Sequence, residues 1–415
     1  MKNDLAVLSL FTGAGGLDIG LESAGFETRL CVENDPRAKA TLRLNRPRWT
    51  LAEPSDAIEV ARDPLAVLRA SGVSRSEIVL LAGGPPCQPF SMAGNWTRNG
   101  PARMRDPRAQ TIRAYLRILD SVRPEVLLFE NVAGFAFKGQ HQGFRALVRG
   151  IREINRERGT QYEPQLVRIN SADYGVPQLR ERVFVVAQRN GRVLDLPPPT
   201  HGPKSVSGQA YRTTWDAIGD LDRSSWSDEL DLQGKWADLI PSIPEGQNYL
   251  WHTPGQGGKP LFGWRTRYWS FLLKLAKKAP AWTIPASPGP ATGPFHWRNR
   301  MLSAEEMCRL QTFPRGFVTT DPRRAAQHQI GNAVPPALAE LLGREIRRQL
   351  LRQEISADGL TLIPAARTDC PSPEKPSSVP QKFLFLVGNH KAHPGEGKGP
   401  GRRQATRVGA ASRAA

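Results

Sequence analysis

Five short apolar runs recur along the first half of the chain, at 5–11 (LAVLSLF), 30–32 (LCV), 78–82 (IVLLA), 126–129 (VLLF) and 183–187 (VFVVA). Each is too short for a buried helix, and unbroken apolar character is what a strand covered on both faces requires. Helical periodicity lies between them, most clearly over 108–122, where Ile112, Tyr115, Leu116 and Leu119 fall at i, i+3, i+4 and i+7. Strands alternating with helices predict the α/β class: a doubly wound sheet with right-handed crossovers. Ligands bind such sheets beyond the carboxyl ends of the strands, so the residues that follow each run are the first to examine for chemistry.

The third run ends in Gly83-Gly84 and continues as Pro85-Pro86-Cys87-Gln88-Pro89-Phe90-Ser91. Two prolines fix φ and stiffen the turn that carries the thiol, which makes Cys87 a candidate nucleophile rather than a packing residue. After the first run comes Phe11-Thr12-Gly13-Ala14-Gly15-Gly16, a glycine-rich turn before a helix, as nucleotide-like ligands require. Its glycines depart from the G-x-G-x-x-G spacing of a diphosphate cradle. Glu33 ends the second run twenty residues after Gly13, where a carboxylate can accept both hydroxyls of a ribose. Glu130-Asn131-Val132 follows the fourth run, bringing Glu130 to the same sheet edge as Cys87. Gln178, Arg180 and Arg182 alternate, so in one extended segment they share a face and form a guanidinium-rich wall.

The formal charge is +18. Residues 357–415 hold nine Lys/Arg and four Asp/Glu, a net of +5, so +13 remains on the preceding 356 residues. A basic body suggests a polyanionic partner, although arginine-rich proteins of GC-rich genomes share this balance. The four cysteines, Cys31, Cys87, Cys308 and Cys370, lie far apart without a CxxC, which argues for a reducing cytoplasm, no zinc site and no disulfide framework. Neither a transmembrane span nor a signal peptide is expected.

Taken together and in this order, Phe11–Gly16, Pro85-Pro86-Cys87-Gln88, Glu130-Asn131-Val132, Gln178-Leu179-Arg180-Glu181-Arg182 and Gly331-Asn332-Ala333-Val334-Pro335 resemble the DNA (cytosine-5)-methyltransferases of bacterial restriction-modification systems. The resemblance covers most of residues 5–345. It implies a Rossmann-like methyltransferase sheet with a second, smaller target-recognition domain of irregular or β character. It also implies S-adenosyl-L-methionine as cofactor, leaving S-adenosyl-L-homocysteine, without a metal. Cys87, Glu130, Arg180 and Arg182 take the catalytic positions. Phe11, Gly13, Gly15, Gly16, Glu33, Asn34, Asp56, Gly84, Pro86, Asn332 and Val334 take the cofactor positions. The substrate implied is double-stranded DNA with the target cytosine flipped out, under a closing loop at 91–105. A monomer in the cytoplasm of a bacterium, at the nucleoid, with a cognate restriction endonuclease acting separately, completes the expectation. Its rivals are a cytosine-5 RNA methyltransferase of the same fold and a catalytically silent DNA-binding protein. Gln88-Pro89-Phe90-Ser91 resembles the DNA branch, and retention of Cys87, Glu130, Arg180 and Arg182 speaks against the silent one.

The domain boundaries expected are 1–195 for catalysis and cofactor binding, 196–221 (opening with the proline-rich 196–203) for a linker, and 222–298 for target recognition. Residues 299–355 then return to the first domain, and 356–415 form a disordered basic tail in which the apolar run 383–387 stands unexplained. Eight of the ten tryptophans lie between Trp215 and Trp297 and read as core more often than as base-stacking groups. Glycine and basic residues in 252–259 and 263–267 make Lys259, Arg265 and Arg267, together with Gln178, the expected DNA contacts. Ser303 with Glu306 fits a capping box, and 337–351 has one apolar helical face.

Overall fold

The computed structural model describes residues 5–86, 110–136, 142–263, 267–320, 322–356 and 358–388. Cys87, the loop 91–105 and Arg265 lie outside the described residues. The chain divides into two compact units: Met1–Leu230 with Ala276–Pro288 and Leu302–Pro371, and Asp231–Leu275 with Gly289–Met301 and Ser372–Ala415.

The first unit is built on a seven-stranded sheet of order β3-β2-β1-β4-β5-β8-β6. Its strands are β1 (Ala6–Leu10), β2 (Glu27–Val32), β3 (Thr50–Leu51), β4 (Ile78–Gly83), β5 (Val126–Val132), β6 (Gln165–Asn170) and β8 (Glu181–Gln188). All five apolar runs fall in these strands. β1, β2, β3, β4 and β5 run parallel, and β8 is antiparallel to both β5 and β6. Leu80, Leu127, Leu128 and Phe129 are fully buried because helices cover both faces. Each such side chain contributes roughly 1.5–3 kcal/mol relative to exposure.

One face carries α3 (Ala57–Val60), α4 (Pro64–Ala70), α5 (Gln110–Val122) and α6 (Gln142–Arg158), which supply Val60, Leu68, Ile112, Tyr115, Leu119 and Leu147 to a shared core. The periodic residues read over 108–122 are thus the buried stripe of α5. On the other face lie α1 (Gly16–Ser23) and α10 (Pro336–Glu345), with Leu17, Leu21, Leu338 and Leu342 buried together. Ser303 does cap α8 (Ala304–Leu310), accepting from Glu306 N while the Glu306 carboxylate accepts from Ser303 N. Between these, α2 (Pro36–Asn45) starts at Asp35, whose carboxylate accepts from Arg37 N and Ala38 N, and α9 (Arg323–Asn332) leads into the Gly331–Pro335 motif. No helix among the described residues is long and apolar enough to cross a membrane.

Strand order reverses between β1 and β4, and there the crossovers diverge. Phe11, Glu33, Gly84 and Glu130 all sit at the carboxyl ends of β1, β2, β4 and β5, the edge on which α/β sheets bind ligands.

Several segments differ from the sequence expectation: residues 222–230 fall in the first unit and 299–301 in the second. Residues 276–288, read as part of the 222–298 domain, belong to the first unit, because β9 (Ala281–Trp282) pairs in parallel with β7 (Gln178–Leu179). The tail read as disordered from 356 is anchored at points within 358–388. Buried Glu340 accepts from the backbone N–H groups of Thr361 and Leu362 and from the Thr361 hydroxyl. The run 383–387 also finds its reason: Phe383 is buried in the core of the second unit, stacked on Trp236 at 5.7 Å. Composition misled here because a Pro/Ser-rich chain stays ordered when a few residues anchor it.

The second unit is irregular, with short 3-10 turns at Ala237–Ser242 and Tyr249–His252 around Tyr249, Leu261, Phe262, Phe271 and Phe295. Trp297 is fully buried and Trp236 packs on this aromatic core, whereas Trp269 is 41% exposed.

Candidate active site

The carboxyl edge of the sheet encloses a cavity of about 450 Å³, lined among others by Phe11, Glu33, Asn34, Asp56, Pro86 and Glu130. That volume suits a small organic ligand. Glu33 is held by two backbone donors, Gly13 N and Asp35 N, each at 2.7 Å. Burial pushes its carboxyl pKa up, and those two hydrogen bonds oppose the shift. Asn34 Nδ2 donates to Asp56 Oδ2 at 2.9 Å, while Asp56 Oδ1 accepts from Ile58 N and caps α3. The two predicted cofactor residues therefore form one unit. Ile58, His328 and Gln329 also line the cavity and carried no distinctive sequence signal.

Glycine is required where the walls close. A Cβ on Gly16 would lie 2.3 Å from the Val334 carbonyl, so the glycine lets the start of α1 meet the Gly331–Pro335 segment. A Cβ on Gly84 would lie 2.7 Å from Glu130 Oε2, so only glycine leaves room for that carboxylate. Asn332 and Val334 line a smaller recess of about 100 Å³, which shares Phe11, Gly13, Gly84 and Glu130 with the main cavity. Gly15, at φ +79, closes the turn before α1.

Glu130 is buried and pairs with Arg182, whose Nε lies 3.0 Å from Oε1. Desolvation raises its pKa, against the lowering effect of Arg182 and Arg180. Asn131 Nδ2 donates to the Pro85 carbonyl at 3.2 Å, tying β5 to the turn that precedes Cys87.

Gln178, Arg180 and Arg182 do not form the wall that their alternation predicts. Gln178 belongs to β7, paired with β9, whereas Arg182 belongs to β8 in the large sheet. Arg180 falls at the join. It is fully buried, and its guanidinium donates to the carbonyls of Gly331 (2.6 Å), Ala333 (2.8 Å) and Ile284 (3.4 Å). Gln178 is fully buried as well. Arg180 is thus a fork bracing the Gly331–Pro335 segment. Arg180→Ala should cost roughly 3 kcal/mol of stability, because two buried carbonyls and a part-buried one lose their donor; denaturant unfolding of parent and variant measures the difference.

In the second unit, Arg267 is exposed with its guanidinium over the Phe271 ring at 5.5 Å, while its backbone is fixed by the Tyr249 hydroxyl. Lys259 is exposed, and its carbonyl is in hydrogen-bond contact with His252 Nδ1 at 3.0 Å.

Residues 5–348 match the family model of the C-5 cytosine-specific DNA methylases, and the chain belongs to that family. It is 36% identical over 380 residues to the Type II methyltransferase M.SacI of Streptomyces achromogenes, covering 84% of this chain and 94% of that protein. It is 33% identical to the Type II methyltransferase M.Eco47II of Escherichia coli, covering 83% and 79%. Among solved structures, the Entamoeba histolytica methyltransferase EhMeth superposes with a TM-score of 0.55 at 15% identity, over 83% of this chain and 98% of that one, a likeness of fold. The protein is an S-adenosyl-L-methionine-dependent methyltransferase of cytosine carbon 5 in DNA. The cavity fits this cofactor. The Glu33 carboxylate suits hydroxyl donors, the Asn34–Asp56 pair suits a polar base edge, and Phe11, Ile58 and Pro86 supply apolar contact.

Proposed function

We propose that this chain methylates cytosine within a specific double-stranded DNA sequence through a covalent adduct at Cys87, as the modification partner of a bacterial restriction system. The observation that carries the reading is Glu130: a buried carboxylate, clasped by Arg182 at 3.0 Å beneath Gly84, at the mouth of the cofactor cavity. Phe11, Gly13, Gly15 and Gly16 form the cofactor loop. Glu33 and Asn34 hold the ribose, Asp56 with Asn34 the adenine edge, Gly84 and Pro86 the flank, and Asn332 with Val334 the methionine end. When bound, the cofactor supplies an electrophilic methyl group.

Carbon 5 of cytosine is a weak nucleophile inside an aromatic ring. The Cys87 thiolate adds to carbon 6, forming an Sγ–C6 bond and making carbon 5 enamine-like. Charge displaced toward N3 and the exocyclic amine is met by the Glu130 carboxyl, whose raised pKa lets it hold a proton there. Arg182 fixes that carboxyl, and Arg180 acts one step removed, as a positioning residue. Loss of the carbon 5 proton and cleavage of the Sγ–C6 bond restore the aromatic ring and free Cys87. Since this chemistry needs the base outside the duplex, the target cytosine is flipped. Sequence is read by the second unit, where Arg267 stands exposed and Lys259 and Arg265 add charge. The enzyme acts as a monomer in the cytoplasm, at the nucleoid, with the endonuclease a separate protein.

Bisulfite sequencing of DNA from cells that express the chain is expected to show one short duplex motif protected at a single cytosine. Protection confined to RNA, or none, would sink the reading. Arg267→Ala should change the methylated motif or lower the salt dependence of DNA binding.

A further inference from the structure

A buried carboxyl that the mechanism does not use lies beside the cofactor site. Asp18, in the first turn of α1, is fully buried, and among the described residues neither of its carboxylate oxygens has a hydrogen-bond partner. The Ser9 hydroxyl beside it shares a hydrogen bond of 3.0 Å with the Thr12 hydroxyl. Leaving a carboxylate without a partner in the interior is costly, so such groups are normally paired or neutral. Asp18 lines the 100 Å³ recess that opens from the main cavity, together with Asn332 and Val334, the residues proposed at the cofactor's methionine end.

We propose that Asp18 is a cofactor-binding residue whose carboxylate receives the α-ammonium group of S-adenosyl-L-methionine in this recess. The inference rests on the cofactor roles proposed for Asn332 and Val334. The amino-acid end brings three N–H donors, and Asp18 offers two acceptors that no hydrogen bond among the described residues satisfies. Burial raises the Asp18 pKa to about 7, with the Ser9 hydroxyl opposing the shift, so near pH 7 the ligand-free protein holds the group only partly ionised. An arriving ammonium supplies the charge that stabilises the ionised form.

The experiment uses titration calorimetry on the full chain with three probes: S-adenosyl-L-homocysteine, its decarboxylated analogue, which keeps the ammonium, and 5′-methylthioadenosine, which lacks the amino-acid end. Asp18→Asn is expected to weaken the first two by about 10- to 100-fold, as for a lost charged hydrogen bond, and to leave 5′-methylthioadenosine within about twofold. Unchanged affinity for S-adenosyl-L-homocysteine would overturn the proposal. So would a loss confined to that ligand, which would assign Asp18 to the carboxylate, or an equal loss of all three, which would make its role structural. Should Asp18→Asn not fold, the parent decides alone: the deamino analogue of S-adenosyl-L-homocysteine must bind about tenfold more weakly than S-adenosyl-L-homocysteine itself, and equal binding refutes the assignment. A parent that binds none of these ligands would refute the cofactor site as a whole. As a second readout, Asp18→Asn should raise the melting temperature of the ligand-free protein at pH 8, where the buried carboxylate is charged. A lowered melting temperature would mark Asp18 as a structural group and count against the proposal.

Discussion

Cys87→Ser is expected to lower methyl transfer by on the order of 10⁴-fold or more while leaving cofactor and DNA binding nearly intact. A serine hydroxyl is almost wholly protonated at neutral pH and has no base assigned to activate it, so it cannot add to carbon 6 of the pyrimidine. The surroundings should survive the change. Asn131 holds the Pro85 carbonyl whichever residue stands at 87, and the proline pair fixes the backbone that precedes it. The parent should also form a denaturant-resistant complex with duplex carrying 5-fluorocytosine in the target position. Fluorine on carbon 5 cannot leave as a proton, so the Sγ–C6 bond persists. Gel mobility under denaturing conditions reads the complex directly, and Cys87→Ser should form none. A serine variant that methylates near the parent rate would refute covalent catalysis by this residue.

What the sequence made legible follows from how locally each feature is determined. Both-face burial makes β1, β4, β5 and β8 unbroken apolar runs, so they and the residues at their ends could be read directly. Strand β6 could not: it pairs only with β8 at the sheet edge, and its residues QLVRIN are mostly half-buried or exposed. Arg180 failed for another reason. Alternation assigns side chains to faces only along one continuous strand, and the chain changes partners between Leu179 and Glu181. The carbonyls Arg180 binds lie about a hundred and about a hundred and fifty residues away, and no local pattern encodes contacts at that separation. Asp18 was invisible likewise. An aspartate in the first turn of a helix ordinarily faces water and the helix dipole; only the packing of α1 against α10 and β1 shows it buried.

Glu130→Gln should lower the rate of methyl transfer by roughly 10²- to 10⁴-fold, the usual worth of a positioned proton donor. The amide preserves the volume beneath Gly84 and can still contact Arg182, so DNA and cofactor affinity should change little. Arg182 separates the charge of Glu130 from its position. Desolvation raises the Glu130 pKa and the Arg182 guanidinium lowers it, so replacing Arg182 by methionine removes a lowering influence and the pKa climbs further. Protonated Glu130 then persists to higher pH. The alkaline limb of the single-turnover rate profile should therefore move upward in Arg182→Met, whereas the acid limb reports formation of the Cys87 thiolate. In Glu130→Gln the limb belonging to the carboxyl should vanish. If Glu130 works through that proton, Arg182→Met added to Glu130→Gln should produce no further pH shift on the alkaline side, a non-additivity characteristic of residues acting as a unit. An alkaline limb that stays in place in Arg182→Met, or survives in Glu130→Gln, would assign the titration to another group and leave Glu130 with only a binding role.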